Sequence, residues 1–593
     1  LFMVNAVDYL QEEGLIVERA GCWDLVADID NMEIGVPDNI RQMIERQVDH
    51  LGVEKQRTLE AASVAGVEFS TPALAAGLEE DPSVVEARCD ELARQRQYIQ
   101  DCGVLELPTG EVVTRYGFVH ALYQNVLYER IPAARRVHLH RLIAERGEEV
   151  FGKHAVQISA ELAMHFERGR DYKRAAHYLK QGAENALRRF AYREAVGLAR
   201  RGIELINKLP NSHECVNEAL CLHLTLGVPL IAIEGYASPN VGMVYMKARE
   251  LYEQLGDTPD VAEVLWGLWT FHTLRAELET ARGIAEEFLR LSERLPYPGL
   301  ATRGHWALEI TFTHCGHFEL ALDHFNKALA LYDPAQHRDD SVLYALNPAV
   351  AMPCFAARAL WFLGLPDQAL TRMEEAVARG RELREPHGLA HAFFFATGLY
   401  NFRRDHRMTQ HYAEAVIDIS RKHGLVLYQA MATVMQGWAL TEQAREREGI
   451  DLMREGLAAL DATGTALVRP NFMALLATAL SKVQQDEEAL RLLDEAITMI
   501  SGNDERDFEA EIYRLKGELL LKHATDNRAN AEHCFKRSME IAERQKAKSW
   551  QLRTAMSLAR NFGQHSKLRE VYDSFTEGFD TEDLREAKAM LQV

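Results

Sequence analysis

The residues that most enzymes use for catalysis occur here outside the common catalytic patterns. The sequence contains no G-x-S-x-G nucleophile turn, no H-E-x-x-H zinc pair and no phosphate-binding G-x-x-x-x-G-K-[ST] loop. Each of these chemistries needs its spacing, because the reacting side chains or amides must meet on one turn or one helix face. We therefore expect no catalytic residue and no enzyme activity within this chain.

The cysteines and histidines also lack the spacing of metal ligands. The eight cysteines include no C-x-x-C pair, and pairs such as His411 with Glu414 or His533 with Glu532 have no second pair at ligand spacing. We predict no metal site. The cysteines are typical of free thiols in a reducing cytoplasm, which is the localisation that we expect.

Aromatic residues concentrate in stretches that hold Trp266 and Trp269, then Trp306, then Phe394. If these stretches are the first helices of successive repeats, they line a concave face, where aromatic side chains can anchor a protein partner or a small-molecule ligand. The same spacing is typical of plain hydrophobic core, so both interpretations stay open.

The densest basic stretch is Arg130–Arg141, in an otherwise acidic region. It could meet a phosphate or an acidic partner, although His138 and His140 are two residues apart and would not face each other on a helix. A solvated helix with local ion pairs explains the same residues.

These candidates are positioned by a repeat of about 40 residues, which is the length of two helices and two short turns. Each such hairpin can bury its apolar face only against its neighbours. Ala369 and an expected turn at 407–410 continue the period where it is less regular. The recurring small residues that open an amphipathic helix are Ala281, Ala321, Gly449, Ala489, Ala531 and Val571.

The repeat pattern predicts a mainly α protein, an α-solenoid of tetratricopeptide-like helical hairpins. We assign this superhelix to residues 153–575, and a C-terminal capping helix to 576–593. Asp580 is the expected N-cap of that last helix, because its carboxylate precedes the apolar residues Leu584 and Ala587.

Residues 36–152 show a different sequence pattern, which predicts a small winged-helix-like domain. Several short helices are followed by two alternating β-runs around Pro108-Thr109-Gly110, which is a hairpin pattern. Thr71 and Asp81 each precede a proline and are the expected N-caps of two of the helices.

The charge balance opposes contact with nucleic acid or anionic lipid. The net charge is −21, and residues 1–150 hold 27 acidic and 14 basic residues, whereas a DNA reader should carry a basic stripe. The longest apolar stretch, 348–366, contains Arg358 and three prolines, so we expect a buried helix there and no membrane span.

Together these residues resemble the bacterial STAND-type signalling ATPases, in which an AAA-like NTPase is followed by a winged helix and tetratricopeptide-like repeats. Such sequences are often fused to a class III adenylate/guanylate cyclase domain or to a transcriptional regulator. The stretches that carry the resemblance are residues 36–45, 61–69, 116–123, 515–520 and 575–584.

The resemblance implies that an NTPase domain lies upstream, with ATP or ADP and Mg²⁺ as its ligands, and that this chain has no cofactor of its own. Residues 1–35 then correspond to the end of the NTPase module and a linker. Because the sequence starts at Leu1 without a phosphate-binding loop, we expect a fragment of a longer protein.

His120 is the site residue that the resemblance singles out. Its place between the second β-run and a helix is similar to that of the histidine that senses ADP phosphate in related STAND proteins, although Ala121 replaces the following aspartate. A histidine that only caps its helix is the simpler alternative.

The expected function is therefore that of a regulatory or sensor portion of a signal-transduction ATPase. In this hypothesis the repeats bind a ligand or partner protein, and the winged helix controls the upstream nucleotide-binding domain. The alternatives are the regulatory tail of a class III adenylate/guanylate cyclase and a stand-alone repeat scaffold that binds proteins.

Overall fold

The computed structural model describes residues 16–19, 22–25, 38–108, 110–256, 258–295, 297, 299–334, 346–523 and 527–592. The chain divides into two compact units. Unit 1 comprises Leu1–Gly182 and Arg201–Pro210, and unit 2 comprises Ala183–Arg200 and Asn211–Val593.

Unit 1 begins with an antiparallel pair of strands, β1 (Ile16–Arg19) and β2 (Cys22–Leu25). The rest of the predicted 1–35 segment lies outside the described residues. The elements that follow in unit 1 are α1 (Asp38–Asp49), α2 (Val53–Ala65), β3 (Glu68–Ser70), α3 (Thr71–Leu78), α4 (Pro82–Gln95), β4 (Ile99–Glu106), β5 (Val112–Phe118), α5 (Ala121–Arg130), α6 (Ala133–Phe151), a 3₁₀ helix (Gly152–Ile158) and α7 (Ser159–Arg168). The next two helices, α8 (Tyr172–Arg188) and α9 (Tyr192–Ile206), each have residues in both units.

The sheet of unit 1 has the order β3-β5-β4 and is antiparallel throughout. Helices α2 to α5 pack on it, and α1 and α6 complete a core that includes Leu59, Leu74, Tyr98 and Tyr116. Short helices followed by a β-hairpin are the arrangement that the sequence predicts for this region.

The two predicted N-caps of unit 1 have different outcomes. Asp81 caps α4, since its carboxylate accepts a hydrogen bond from the Ser83 amide at 2.9 Å. The prediction for Thr71 is wrong, because β3 ends at Ser70 and α3 already includes Thr71. The Thr71 hydroxyl instead donates to the Thr114 carbonyl of β5 at 3.3 Å.

Unit 2 is the predicted α-solenoid, in which consecutive helices form antiparallel hairpins. We call the first helix of each hairpin its A helix and the second its B helix. The A and B helices are, in pairs, α10 (His213–Glu234) and α11 (Pro239–Leu255), α12 (Val261–Leu274) and α13 (Leu278–Arg294), α14 (Leu300–His314) and α15 (Phe318–Leu331), α16 (Pro348–Phe362) and α17 (Pro366–Leu383), α18 (Pro386–Phe402) and α19 (His406–His423), α20 (Val426–Thr441) and α21 (Glu446–Ala462), α22 (Arg469–Lys482) and α23 (Asp486–Gly502), α24 (Glu509–His523) and α25 (Arg528–Arg544), and α26 (Lys548–Phe562) and α27 (His565–Asp573).

The small residues that define the period lie in the first turns of B helices and are buried, as Ala281, Ala321 and Ala489 show. Without large side chains at these positions, the A helix can approach closely. The expected turn at 407–410 is wrong, because this stretch lies inside α19, where Thr409 takes the place of the small residue.

Successive superhelical turns of unit 2 are joined by backbone hydrogen bonds. The carbonyl of Leu274, at the end of α12, accepts from the amides of Ala466 and Leu467 at 2.9 and 3.0 Å. The carbonyl of His314, at the end of α14, accepts from the amide of Arg506 at 2.7 Å. The last carbonyls of a helix have no partner within it, so loops from the next turn satisfy them here.

The C-terminal segment closes unit 2 on the start of α17. The carboxylate of Glu577 accepts from the amides of Asp367 and Gln368 at 2.9 and 3.0 Å. In return the Asp367 carboxylate accepts from the amide of Gly578 at 2.9 Å. A Cβ at Gly578 would lie 2.0 Å from the Pro366 ring, so this close approach requires glycine.

The last helix, α28 (Glu582–Gln592), buries Leu584 and Ala587 against the preceding hairpins. The expected N-cap is wrong by one residue, since α28 begins at Glu582 and Thr581 precedes it. Asp580 instead lies 3.6 Å from Arg403 in an ion pair.

Helix α10 has the length and hydropathy of a candidate membrane span, but 61% of its apolar window is buried inside the protein. A buried core helix passes the same test. Most of the apolar stretch at 348–366 forms the buried helix α16, as the sequence predicts.

Glycine contacts between α20 and α21 give the first prediction. A Cβ on Gly437 would lie 2.5 Å from the carbonyl oxygen of Gly449. We expect Gly437→Ala to lower the free energy of unfolding by about 1–3 kcal/mol through overpacking. The exposed Gly283 in α13 has no atom within 4 Å of such a Cβ, so Gly283→Ala should stabilise by about 0.5–1 kcal/mol. Urea denaturation of both variants measures the difference, and equal effects would contradict the helix packing.

Candidate functional site

His120 lies at the start of α5 and caps it. Its Nδ1 accepts a hydrogen bond from the Leu122 amide at 3.1 Å, and its backbone is extended. This is the geometry of an N-cap residue. The side chain therefore has a local structural role, and its predicted contact with a nucleotide phosphate stays a prediction.

The basic stretch 130–141 divides between the surface and the core of unit 1. Arg130 donates to Asp49 at 2.7 Å and Arg135 to Glu60 at 2.9 Å. Both pairs are long-range, with α1 and α2, whereas Arg141 donates to Glu145 at 3.2 Å in a local ion pair of the kind that a solvated helix would hold. His140 departs from the expectation of a solvated helix, since it is buried.

His140 belongs to a buried chain of polar side chains. Its Nε2 lies 2.9 Å from the Tyr128 hydroxyl, and its Nδ1 lies 2.9 Å from Nδ1 of His165 on α7. Burial lowers the pKa of His140 to about 3 and that of His165 to about 4, with nearby Arg168 adding to both shifts. Both imidazoles are therefore neutral at pH 7, and one donates to the other.

The cap at His120 gives a second prediction. We expect His120→Ala to lower the free energy of unfolding by about 1 kcal/mol, and His120→Asn to restore most of it, because asparagine is a good N-cap. His138→Ala is the matched control, since His138 is exposed within α6. Urea denaturation tests all three, and equal stability of the alanine and asparagine variants at 120 would contradict the capping role.

The A helices of unit 2 line a cavity of about 100 Å³. All four aromatic residues that the sequence singles out, Trp266, Trp269, Trp306 and Phe394, line it. The rings of Trp266 and Trp306 lie 4.1 Å apart, and those of Trp266 and Trp269 lie 4.7 Å apart. Residues from three separate hairpins therefore meet at one place.

The sequence leaves two interpretations of these four rings open, a concave binding face and plain hydrophobic core. Trp306 has no exposed surface, Trp266 and Trp269 are nearly as buried, and Phe394 is half-buried. Leu467 and Val468, in the loop before α22, also line the cavity. The loop lies there because its amides bond to the end of α12, an arrangement that the repeat period does not encode.

Several polar atoms of the cavity-lining residues are buried without a hydrogen-bond partner. They are Nε1 of Trp306, Nε of Arg358, Oγ1 of Thr273 and Nε2 of His391. His391 uses Nδ1 for the Tyr428 hydroxyl at 3.0 Å. Most buried polar groups in folded proteins have partners, so this concentration distinguishes the cavity from ordinary core.

Two residues that line the cavity, Arg358 and His314, belong to a buried ionic network. Asp507 has no exposed surface, and its Oδ2 accepts from Nη2 of Arg358 at 2.5 Å and lies 3.2 Å from Nδ1 of His314. Burial lowers the pKa of His314. Nearby, burial and Asp507 raise the pKa of Glu505, which accepts from the Val468 amide at 2.9 Å.

A separate groove of about 310 Å³ runs along the later A helices of unit 2. It is lined by residues of α18, α20, α22, α24 and α26, together with Asp583 and Glu586 of α28. The carboxamides of Asn401 and Asn471 face it, and neither has a hydrogen-bond partner among the described residues.

Most of the charged side chains of the groove are paired with one another. Arg553 donates to Asp583 at 2.8 Å and lies 3.4 Å from Glu511. Arg404 donates to Glu586 at 2.7 Å and lies 3.3 Å from Asp583. These ion pairs fix the walls, and the two carboxamides remain available to a bound molecule.

The sequence pattern does not reveal most of the polar residues of both sites. Arg358 stands out only as a charge within an apolar stretch, a position that indicates a buried acidic partner. Asp507, Asn401 and Asn471 carry no comparable pattern. Among the described residues, no three His, Cys, Asp or Glu side chains are arranged to hold a metal ion.

Comparisons with known proteins give distant similarities. No family model matches the chain. An uncharacterized protein of Rhizobium meliloti (strain 1021) is 22% identical over 515 residues, which is 85% of this chain and 48% of that protein. The chain therefore spans about half the length of this relative.

Solved structures of helical-repeat proteins also match part of the chain. A Rap protein complexed with competence and sporulation factor is 11% identical with a TM-score of 0.47, over 62% of this chain and 98% of that chain. A STAND protein with a tetratricopeptide repeat sensor from Pyrococcus horikoshii is 12% identical with a TM-score of 0.30, over 93% of this chain and 65% of that chain.

Proposed function

We propose that this chain is the sensor portion of a signal-transduction protein, and that the groove of unit 2 binds a peptide segment of a partner. The observation that carries the proposal is the groove along five A helices, in which two unpartnered carboxamides lie between fixed ion pairs. A carboxamide both donates and accepts hydrogen bonds, as the peptide backbone does.

The geometry suits an extended segment. A helices of successive hairpins place their side chains at regular intervals along one surface, and Asn401 and Asn471 come from α18 and α22, with α20 between them. Trp438 and Leu475 add apolar surface for side chains of the bound segment.

For unit 1 we propose the role that the resemblance implies. A winged-helix-like domain would connect the repeats to an upstream NTPase domain that binds ATP or ADP with Mg²⁺, and His120 would contact the ADP phosphate. In a protein that includes that domain, His120→Asn keeps the helix cap, so weaker ADP binding would support the role and unchanged binding would remove it.

The groove is tested by selecting binders from a random peptide library on the whole chain and measuring the Kd of one synthetic selected peptide. We expect Asn401→Ala and Asn471→Ala each to raise this Kd about tenfold, because each removes hydrogen bonds to the peptide backbone.

Asn326→Ala is the matched control, since Asn326 is exposed on the B helix α15 and outside the groove. It should leave the Kd unchanged. The proposal fails if no peptide is enriched, or if the selected peptide binds wild type and both groove variants equally.

A further inference from the structure

We infer that the aromatic cavity of unit 2 binds a neutral small molecule with one aromatic ring and a hydrogen-bond-accepting oxygen. This site goes beyond the proposed peptide groove, because the cavity and the groove share no lining residue.

The size and the aromatic walls of the cavity favour a compact ligand with one aromatic ring. Its volume of about 100 Å³ is of the order of cavities that hold a single benzene ring. Trp266, Trp269, Trp306 and Phe394 supply ring faces and edges, and aromatic rings pack well against such surfaces in offset or edge-to-face arrangements.

The unpartnered polar atoms favour a ligand that carries a hydrogen-bond acceptor. Nε1 of Trp306 and Nε of Arg358 are buried without partners, and both groups can only donate hydrogen bonds. A buried donor without an acceptor costs free energy. An oxygen on the bound molecule would satisfy such a donor, and the Thr273 hydroxyl can donate as well.

The charge state of the residues around the cavity favours an uncharged ligand. The guanidinium of Arg358 is already paired with Asp507, and burial lowers the pKa of His391 to about 3, so its imidazole is uncharged at pH 7. A carboxylate entering the cavity would therefore be desolvated without a free cation to pair with it.

A residue with a strained backbone also lines the cavity. Val468, which lines the cavity, has a φ of 63°, a left-handed conformation that is a genuine outlier for a β-branched residue. Strained residues of this kind cluster at ligand sites. The strain is held by the hydrogen bond from the Val468 amide to Glu505.

Three probes of similar size test the inference on the whole chain: acetophenone, ethylbenzene and benzoate. We expect acetophenone to bind about tenfold more tightly than ethylbenzene, which lacks the acceptor, and more tightly than benzoate. Calorimetric or NMR titration measures the three Kd values. Absence of saturable binding by acetophenone, equal binding of acetophenone and ethylbenzene, or tightest binding of benzoate would overturn the inference.

Two variants locate the binding. Trp306→Phe keeps an aromatic ring and removes the N–H, and Thr273→Val removes the hydroxyl at nearly constant volume, so each should reduce the preference for acetophenone over ethylbenzene. Trp438→Phe is the control, because Trp438 lines the groove. The inference fails if neither cavity variant changes the preference, or if the control changes it equally. The groove peptide is expected to bind the two cavity variants as it binds wild type, because Trp306 and Thr273 lie outside the groove, which keeps this test separate from that of the proposed function.

Discussion

The hydrogen bonds between loop amides and the ends of A helices determine how unit 2 is built. Each helix leaves carbonyls at its C-terminus without an internal partner. In α12 and α14 these carbonyls accept from loops of the next superhelical turn, and the side chains of one such contact, His314 and Asp507, are 193 residues apart. Because buried carbonyls need partners, the loops are held inside the superhelix, and the surface between turns becomes interior.

The aromatic cavity follows from this constraint. The loop before α22 carries Leu467 and Val468 over the tryptophans of the earlier hairpins and turns an aromatic face into a cavity. The loop before α24 carries Asp507 to Arg358. The groove lies farther along the chain, where α28 adds Asp583 and Glu586 to the A-helix surface. A molecule bound at either place would contact several hairpins at once, as a sensor requires.

The sequence predicts the local structure well and the long-range structure poorly. Helical periodicity and small residues such as Ala281 and Ala489 report contacts between neighbouring hairpins, so the solenoid and its period can be found from residue spacing. The tryptophans could be selected because aromatic residues stand out on a helix face. The position of the loop over these tryptophans could not be predicted, because it depends on the backbone at 466–467, where any residue type except proline supplies the same N–H.

A direct measurement of the central claim is hydrogen exchange at the inter-turn amides of the whole chain. If the loops are bonded to the helix ends, the amides of Ala466, Leu467 and Arg506 exchange slowly, as amides within α22 and α24 do. The amide of Asn211, in an exposed connection, serves as the unprotected reference. Exchange of the three loop amides as fast as that of Asn211 would show that the turns are not joined, and the cavity would lose its basis.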